Sequence, residues 1–144
     1  MADTIITNKT LQFELVSPER AFPSEAAVMV QAPAREGEIG VMAGHAPLLA
    51  SLKPGVVVVH LPSGSVKKIF VSGGFVDVGG PVCSVLAEEA VNVEDLGPTA
   101  ADHHLRQLQE AWAAEKDNPV RAAILERQIQ VERERVSAAQ RDSD

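Results

Sequence analysis

Over the first ninety residues apolar side chains recur every second position or in short blocks; beyond them they recur every third or fourth. Leu11, Phe13 and Leu15 alternate with Gln12, Glu14 and Val16, a two-residue period that predicts a half-buried strand and falters only at Val16. Ala27 to Val30 is a short, β-prone apolar block. Val56 to His60 runs into Pro62-Ser63-Gly64, and Val66 to Val71 leads away, the pattern of a hairpin. Gly73-Gly74 and Gly79-Gly80-Pro81 bracket Phe75 to Val78, and Val82 to Leu86 follows. Short strands at close spacing, without helices between them, predict an antiparallel β-sandwich or barrel over residues 1–90. A core of roughly 85 residues is small, and a partner would add to its stability.

The period then changes. Ala101, Leu105, Leu108 and Trp112 fall on one helical stripe. Thr99 with Asp102 predicts an N-terminal capping box, and Asp102 is spaced to pair with Arg106. Lys116-Asp117-Asn118-Pro119 stops this helix, with Asn118 placed to cap a second one and Pro119 at its first position. In that second helix Val120, Ile124 and Val131 form one stripe and Leu125, Ile129 and Val136 its neighbour, before a polar ending, Gln140 to Asp144, expected to fray. The fold class is mixed and mainly β: a sandwich followed by a two-helix antiparallel hairpin over residues 91–144. The hairpin's stripes are thin, so it is expected to be the mobile part, lying down or standing up for a few kcal/mol.

Composition supports the division. Nine of ten Gly and seven of nine Pro lie at or before Pro81. Net charge is −2 over residues 1–88 and −5 over 89–144, for −7 in 144 residues. That balance argues against nucleic acid and against adhesion to anionic lipid. With 3% aromatics and no Tyr, recognition by stacking is disfavoured. The longest strongly apolar run, Val56 to Val59, is far short of the ~20 residues of a membrane helix. Met1 to Thr10 is polar, unlike a secretory leader or transit segment. A lone cysteine, Cys83, cannot form an internal disulfide.

Reactive constellations are missing. No Gly precedes a Lys, and there is neither a G-x-S-x-G nor an H-E-x-x-H pattern. His103 and His104 point about 100° apart on a helix and cannot chelate as an i, i+4 pair. His60 reads as an ordinary strand-edge residue, and Cys83, beside Val82 and Val85, as a buried thiol. Glu36 with Glu38 reads as a solvated turn, and Glu88 with Glu89 as a solvated link. The arginines of the second helix alternate with glutamates, which suits a solvated face or docking on an acidic partner. Catalytic residues, metal sites and cofactors are all expected to be absent. The residues alone predict a non-catalytic interaction module.

Three ordered blocks then carry a resemblance. Glu36-Gly37-Glu38-Ile39-Gly40-Val41-Met42-Ala43-Gly44-His45-Ala46-Pro47-Leu48-Leu49, continued by Leu52-Lys53-Pro54-Gly55, is the first. Phe70 to Val78 is the second, and Val85 to Ala90 with Glu94-Asp95-Leu96 the third. Together they resemble the epsilon subunits of bacterial F-type ATP synthases. The resemblance implies a rotor subunit whose sandwich binds the gamma subunit of the central stalk and rests on the ring of c subunits. It implies that the helices contact the catalytic head of alpha and beta subunits and restrain ATP hydrolysis. It also places the chain peripherally on the cytoplasmic side of a bacterial inner membrane, with membrane contact only through the proton-translocating complex.

By the same resemblance Glu38, Gly40, His45, Pro47, Gly73 and Gly74 are expected at the gamma or c-ring interface, with turn chemistry as the other reading of Glu38 and His45. Arg127, Arg133 and Arg135 are the candidates for the catalytic head, and Gly97-Pro98 for a hinge. Two departures stand out. Ala43 occupies a position where the family usually has Pro. In the nucleotide-binding pattern L-D-x-x-R-A of some members, Leu96 is kept, but Gly97 replaces the Asp and Ala100 the Arg. Weak or no ATP binding by the isolated chain is therefore expected. A free-standing ligand-binding sandwich with a helical dimerisation arm is the alternative.

Overall fold

The computed structural model describes residues 9–143, with side chains to residue 141, so most of the polar N-terminal decapeptide and the last residue of the polar ending lie outside the described residues. Its contacts divide into two compact units that meet between Asn92 and Val93.

The first unit holds β1 (Leu11–Ser17), β2 (Arg20–Ala21), β3 (Glu25–Ala27), β4 (Met29–Ala34), β5 (Gly37–Met42) and β6 (Leu48–Leu52). It continues with β7 (Gly55–His60), β8 (Val66–Val71), β9 (Gly74–Gly79), β10 (Val82–Ala87) and β11 (Ala90–Asn92). They join in the order β11-β8-β7-β4-β6-β9-β10-β1-β2, with β3 on β1 and β5 on β4. This is a nearly closed, barrel-like sandwich. All pairings are antiparallel except that of β1 with β10, where Phe13 faces Cys83 and Leu15 faces Val85.

Alternation decides which side chains go inside. In β1, Leu11, Phe13 and Leu15 are buried while Glu14 and Val16 are exposed. Val57 and Val59 of β7, Val76 and Val78 of β9, and Cys83 and Val85 of β10 complete the same core. The block Ala27 to Val30 is two strands rather than one, with a bend at Val28. The fold closes at β4. Its Met29 to Gln31 pair with β7, and Ala34 pairs with β6. Pro33, with no N–H to donate, sits at this change of partner, and Lys53 donates its N–H to the Pro33 carbonyl at 2.9 Å. His60 is no edge residue: it ends a strand flanked on both sides, and its Nε2 is 2.9 Å from Gln31 Oε1.

The second unit has a 3-10 turn (Val93–Asp95), α1 (Pro98–Glu115) and α2 (Pro119–Ser143). Thr99 does not cap α1. Gly97 occupies that position without a side-chain hydrogen bond, because Pro98 takes the first helical place. Asn118 does cap α2, its Oδ1 accepting from the Arg121 N–H at 3.3 Å. Asp102 pairs with Arg106 at 3.2 Å. Of the two stripes on α2, Leu125, Ile129 and Val136 are buried; Val120 and Ile124 remain exposed on the other side. The polar ending stays helical through Ser143.

Candidate functional site

The Glu36–Leu49 segment folds as strand, turn and strand. Glu38 lies opposite Pro33 and Gly40 opposite Gln31, and both are exposed. A tight turn follows β5: the His45 N–H donates to the Met42 carbonyl at 3.0 Å, and Gly44 takes φ +86°, which a side chain would resist. The half-buried His45 ring has its Nδ1 2.6 Å from the Ala46 carbonyl oxygen, so Nδ1–H donates there. Pro47 is exposed just before β6. Arg35, Glu36 and Glu38 from the β4–β5 hairpin meet Leu48 and Leu49 from β6 around a groove of about 500 Å³. Charged and apolar side chains are thus brought together by one short segment.

Gly73 and Gly74 belong elsewhere in the ladder, at the turn into β9. The reason for Gly74 is internal. Its φ is +133°, and a Cβ there would stand 2.0 Å from the Leu86 carbonyl oxygen. Ser72 donates its N–H to the Glu89 carbonyl and Glu88 its N–H to the Gly73 carbonyl, at 3.1 and 3.0 Å. The Glu88-Glu89 pair is therefore a turn tied to this glycine pair, exposed as expected but inside the sandwich unit.

A feature that strand-by-strand reading misses appears once register is known. On the outer face Phe75 pairs with Leu86, and Leu86 with Val16. Leu49 stands diagonally from Phe75, since Leu49 faces Asp77 and Phe75 faces Ser51. These four side chains are 46–70% exposed and form one apolar band across β6, β9, β10 and β1. The available signal was a fault in the alternation: Val16 and Leu86 are apolar where polar residues belong.

On the inner face of β10, Cys83 is fully buried. Burial, and secondarily the Asp77 carboxylate, push its thiol up to about 11. Such a thiol is a packing group rather than a nucleophile. Among the described residues no group of three or more His, Cys, Asp or Glu side chains could hold a metal ion, and no helix is long and apolar enough to cross a membrane.

The three candidate arginines of α2 do not share one face. Arg127 and Arg133 are exposed and stand about 120° apart at 100° per residue. Arg135 is partly buried against Glu132, Nε to Oε2 at 3.2 Å. Arg133 lines an interhelical groove of about 700 Å³ with Trp112, Glu126 and Ile129. Gly97, five residues beyond the division of the chain, caps α1, and Pro98 is the first residue of that helix, so both lie inside the second unit.

The class that these features define is a small β-sandwich with an exposed apolar band, followed by a two-helix hairpin. Comparison with known proteins places it further. Residues 10–93 match the family model described as ATP synthase, Delta/Epsilon chain, beta-sandwich domain. An ATP synthase epsilon chain of Rhizobium meliloti is 45% identical over 67% of this chain and 72% of its own length. The ATP synthase epsilon chain 1 of Cereibacter sphaeroides is 46% identical over 70% and 76%. Among solved structures, a chain of the Euglena gracilis mitochondrial ATP synthase assembly of OSCP, F1 and c-ring shares the fold, with TM-score 0.77 and 22% identity over 90% of this chain and 81% of that one. The chain belongs to the ATP synthase epsilon chain family.

Proposed function

We propose that this chain is a non-catalytic rotor subunit of a proton-translocating F-type ATP synthase, held peripherally on the cytoplasmic side of a bacterial inner membrane through the complex alone. Its sandwich joins the gamma subunit to the c-ring and helps couple proton transport to ATP synthesis and hydrolysis in the catalytic head. The observation that carries this reading is the outer band Leu49, Phe75, Leu86 and Val16, built on a rigid ladder in a member of this family. Large apolar side chains held in water on a stiff surface gain by being covered. We assign the band to gamma, and the loop positions Glu38, His45 and Pro47 to the ring.

Co-purification of the full chain with its cognate gamma subunit tests the assignment. Phe75→Asp or Leu86→Asp should weaken capture at least thirtyfold, as expected when the anchor of an interface is lost. Stability should fall by about 1–2 kcal/mol, because neither side chain is in the core but each substitution removes a cross-strand pair and puts Asp in a strand. Undiminished capture by both variants refutes the assignment of the band. In the same reading the hairpin restrains hydrolysis through exposed arginines, so Arg127→Glu with Arg133→Glu should raise ATP hydrolysis by the assembled enzyme without preventing assembly. Unchanged hydrolysis in an intact complex removes the regulatory part.

A further inference from the structure

The seam between the helices follows the alternating three-and-four spacing of a coiled coil. On α2 the seam positions are Ala122, Leu125, Ile129, residue 132 and Val136; Ala101, Leu105, Leu108 and Trp112 answer them on α1. All are apolar except residue 132, a glutamate. Glu132 is nonetheless buried, 5% exposed.

Its two cationic partners are of different kinds. Arg135, three residues further along the same helix, donates from Nε to Glu132 Oε2 at 3.2 Å. His104 comes from the opposite helix, with Nδ1 3.3 Å from the same oxygen. It stands beside the α1 stripe, three residues after Ala101 and four before Leu108, and its side chain is 56% exposed. The difference matters when the helices part. Arg135 is on the same helix, travels with Glu132 and keeps its hydrogen bond to the carboxylate in either arrangement. Separation therefore strands no charge, whereas closure takes the carboxylate out of water. His104, the partner across the seam, returns part of that cost.

We propose that Glu132 is a charged break in the hairpin seam that keeps helix pairing weak and reversible, and that His104 is the cross-seam partner that offsets part of its cost. The proposal rests on the reading of the hairpin as an arm that opens. The apolar seam supplies the attraction, Glu132 opposes it, and the contact with His104 relieves part of the opposition. The other charged groups close by do not duplicate this role. On α1 Asp102 and Arg106 pair with each other at 3.2 Å, and the 3-10 turn that also packs on α2 offers only the exposed Glu94 and Asp95.

The indole N–H of Trp112 reports on closure, because it donates across the seam to Glu126 Oε1 at 3.2 Å. Its hydrogen exchange, with that of the α1 and α2 amides, is followed by NMR in the isolated full chain. Glu132→Leu should open at least tenfold less often than the natural chain. His104→Gln, which keeps Glu132 on the seam and removes its cross-seam partner, should open several-fold more often while leaving both helices formed. The proposal is overturned if Glu132→Leu opens as often as the natural chain or more, or if His104→Gln opens no more often than it. No hydrolysis is measured, so failure of the regulatory reading in the assembled enzyme would be seen separately.

Discussion

Phe13, Leu15, Val57 and Val85 are at most 1% exposed, held in a ladder that pairs each strand with its neighbours. In the hairpin only small side chains come close, Ala138 and Ala139 at 2%. Its seam is lined by Ala122, Leu125 and Ile129 at 8% and Val136 at 9%, with a glutamate among them. The largest fully buried side chains all belong to the sandwich. One half is therefore over-determined, its inner face set by hydrogen bonds and packing together, so its outer face is free to carry an apolar band without endangering the fold. In the other half pairing depends on a narrow stripe, which suits an element meant to change partners.

The strongest way to break this contrast is to cut into both cores. Phe13→Ala should cost about 3–5 kcal/mol and unfold the sandwich as a unit, whereas Leu125→Ala should cost about 2 kcal/mol, at the lower end of the range for such truncations, and loosen the hairpin alone. Trp112 is the only tryptophan and lies on the hairpin, so its fluorescence follows that unit while the methyl NMR signals of Leu15, Val57 and Val85 follow the sandwich core. In denaturant the Trp112 transition should come first. Coincident transitions in the natural chain would show that the two units unfold as one, and the contrast would fall.

An intermediate effect tests the sandwich alone. The Cys83 thiol ionises at about 11 when folded, and near its ordinary value of 9.0 when unfolded. A neutral group whose folded pKa is raised contributes stability that is intact below pH 9 and is lost as pH climbs toward 11. The loss approaches about 1.4 kcal/mol per pH unit within that window, so unfolding at pH 8 and pH 10 should differ by about 1 kcal/mol more in the natural chain than in Cys83→Ala. An identical pH dependence would mean that the thiol is not sealed in the core.

Much of this contrast was legible in the chain. A two-residue period needs no tertiary information to show an inner face, which is why β1 and the β7–β8 hairpin could be placed from residues alone, and Asn118-Pro119 marked a helix start by its own local chemistry. What stayed hidden depends on register. Val16, Phe75 and Leu86 are far apart in sequence, and nothing local says that β1 lies parallel to β10 and brings them into one row. Thr99 was misleading because a capping residue competes with Pro98, which fills the first helical position one residue earlier. Glu132 looked like one of several solvated charges. Only the position of α1 shows that it falls on the seam, and the two stripes of α2 could not be ranked until α1 had chosen one.

The smallest expected effect sharpens the comparison by touching the sandwich outside its core. Residues Met42 to His45 form a turn whose third position, Gly44, has φ +86°, the signature of a type II turn. Ala43 is the second residue, where such a turn requires φ near −60° and where Pro fits best. Met42 before it is extended in β5, the conformation that a following Pro prefers. Ala43→Pro should therefore restrict the unfolded chain more than the folded one and stabilise the sandwich by about 0.4–1 kcal/mol. Gly44→Ala should cost about 1–2 kcal/mol by forcing a side chain into the left-handed region. Melting of the sandwich strands reads both, and the Trp112 signal should move in neither. A stabilised strand transition with an unmoved hairpin transition would show that the loop presenting His45 and Pro47 can be stiffened independently of the arm; a shift of both would tie the arm's stability to this loop.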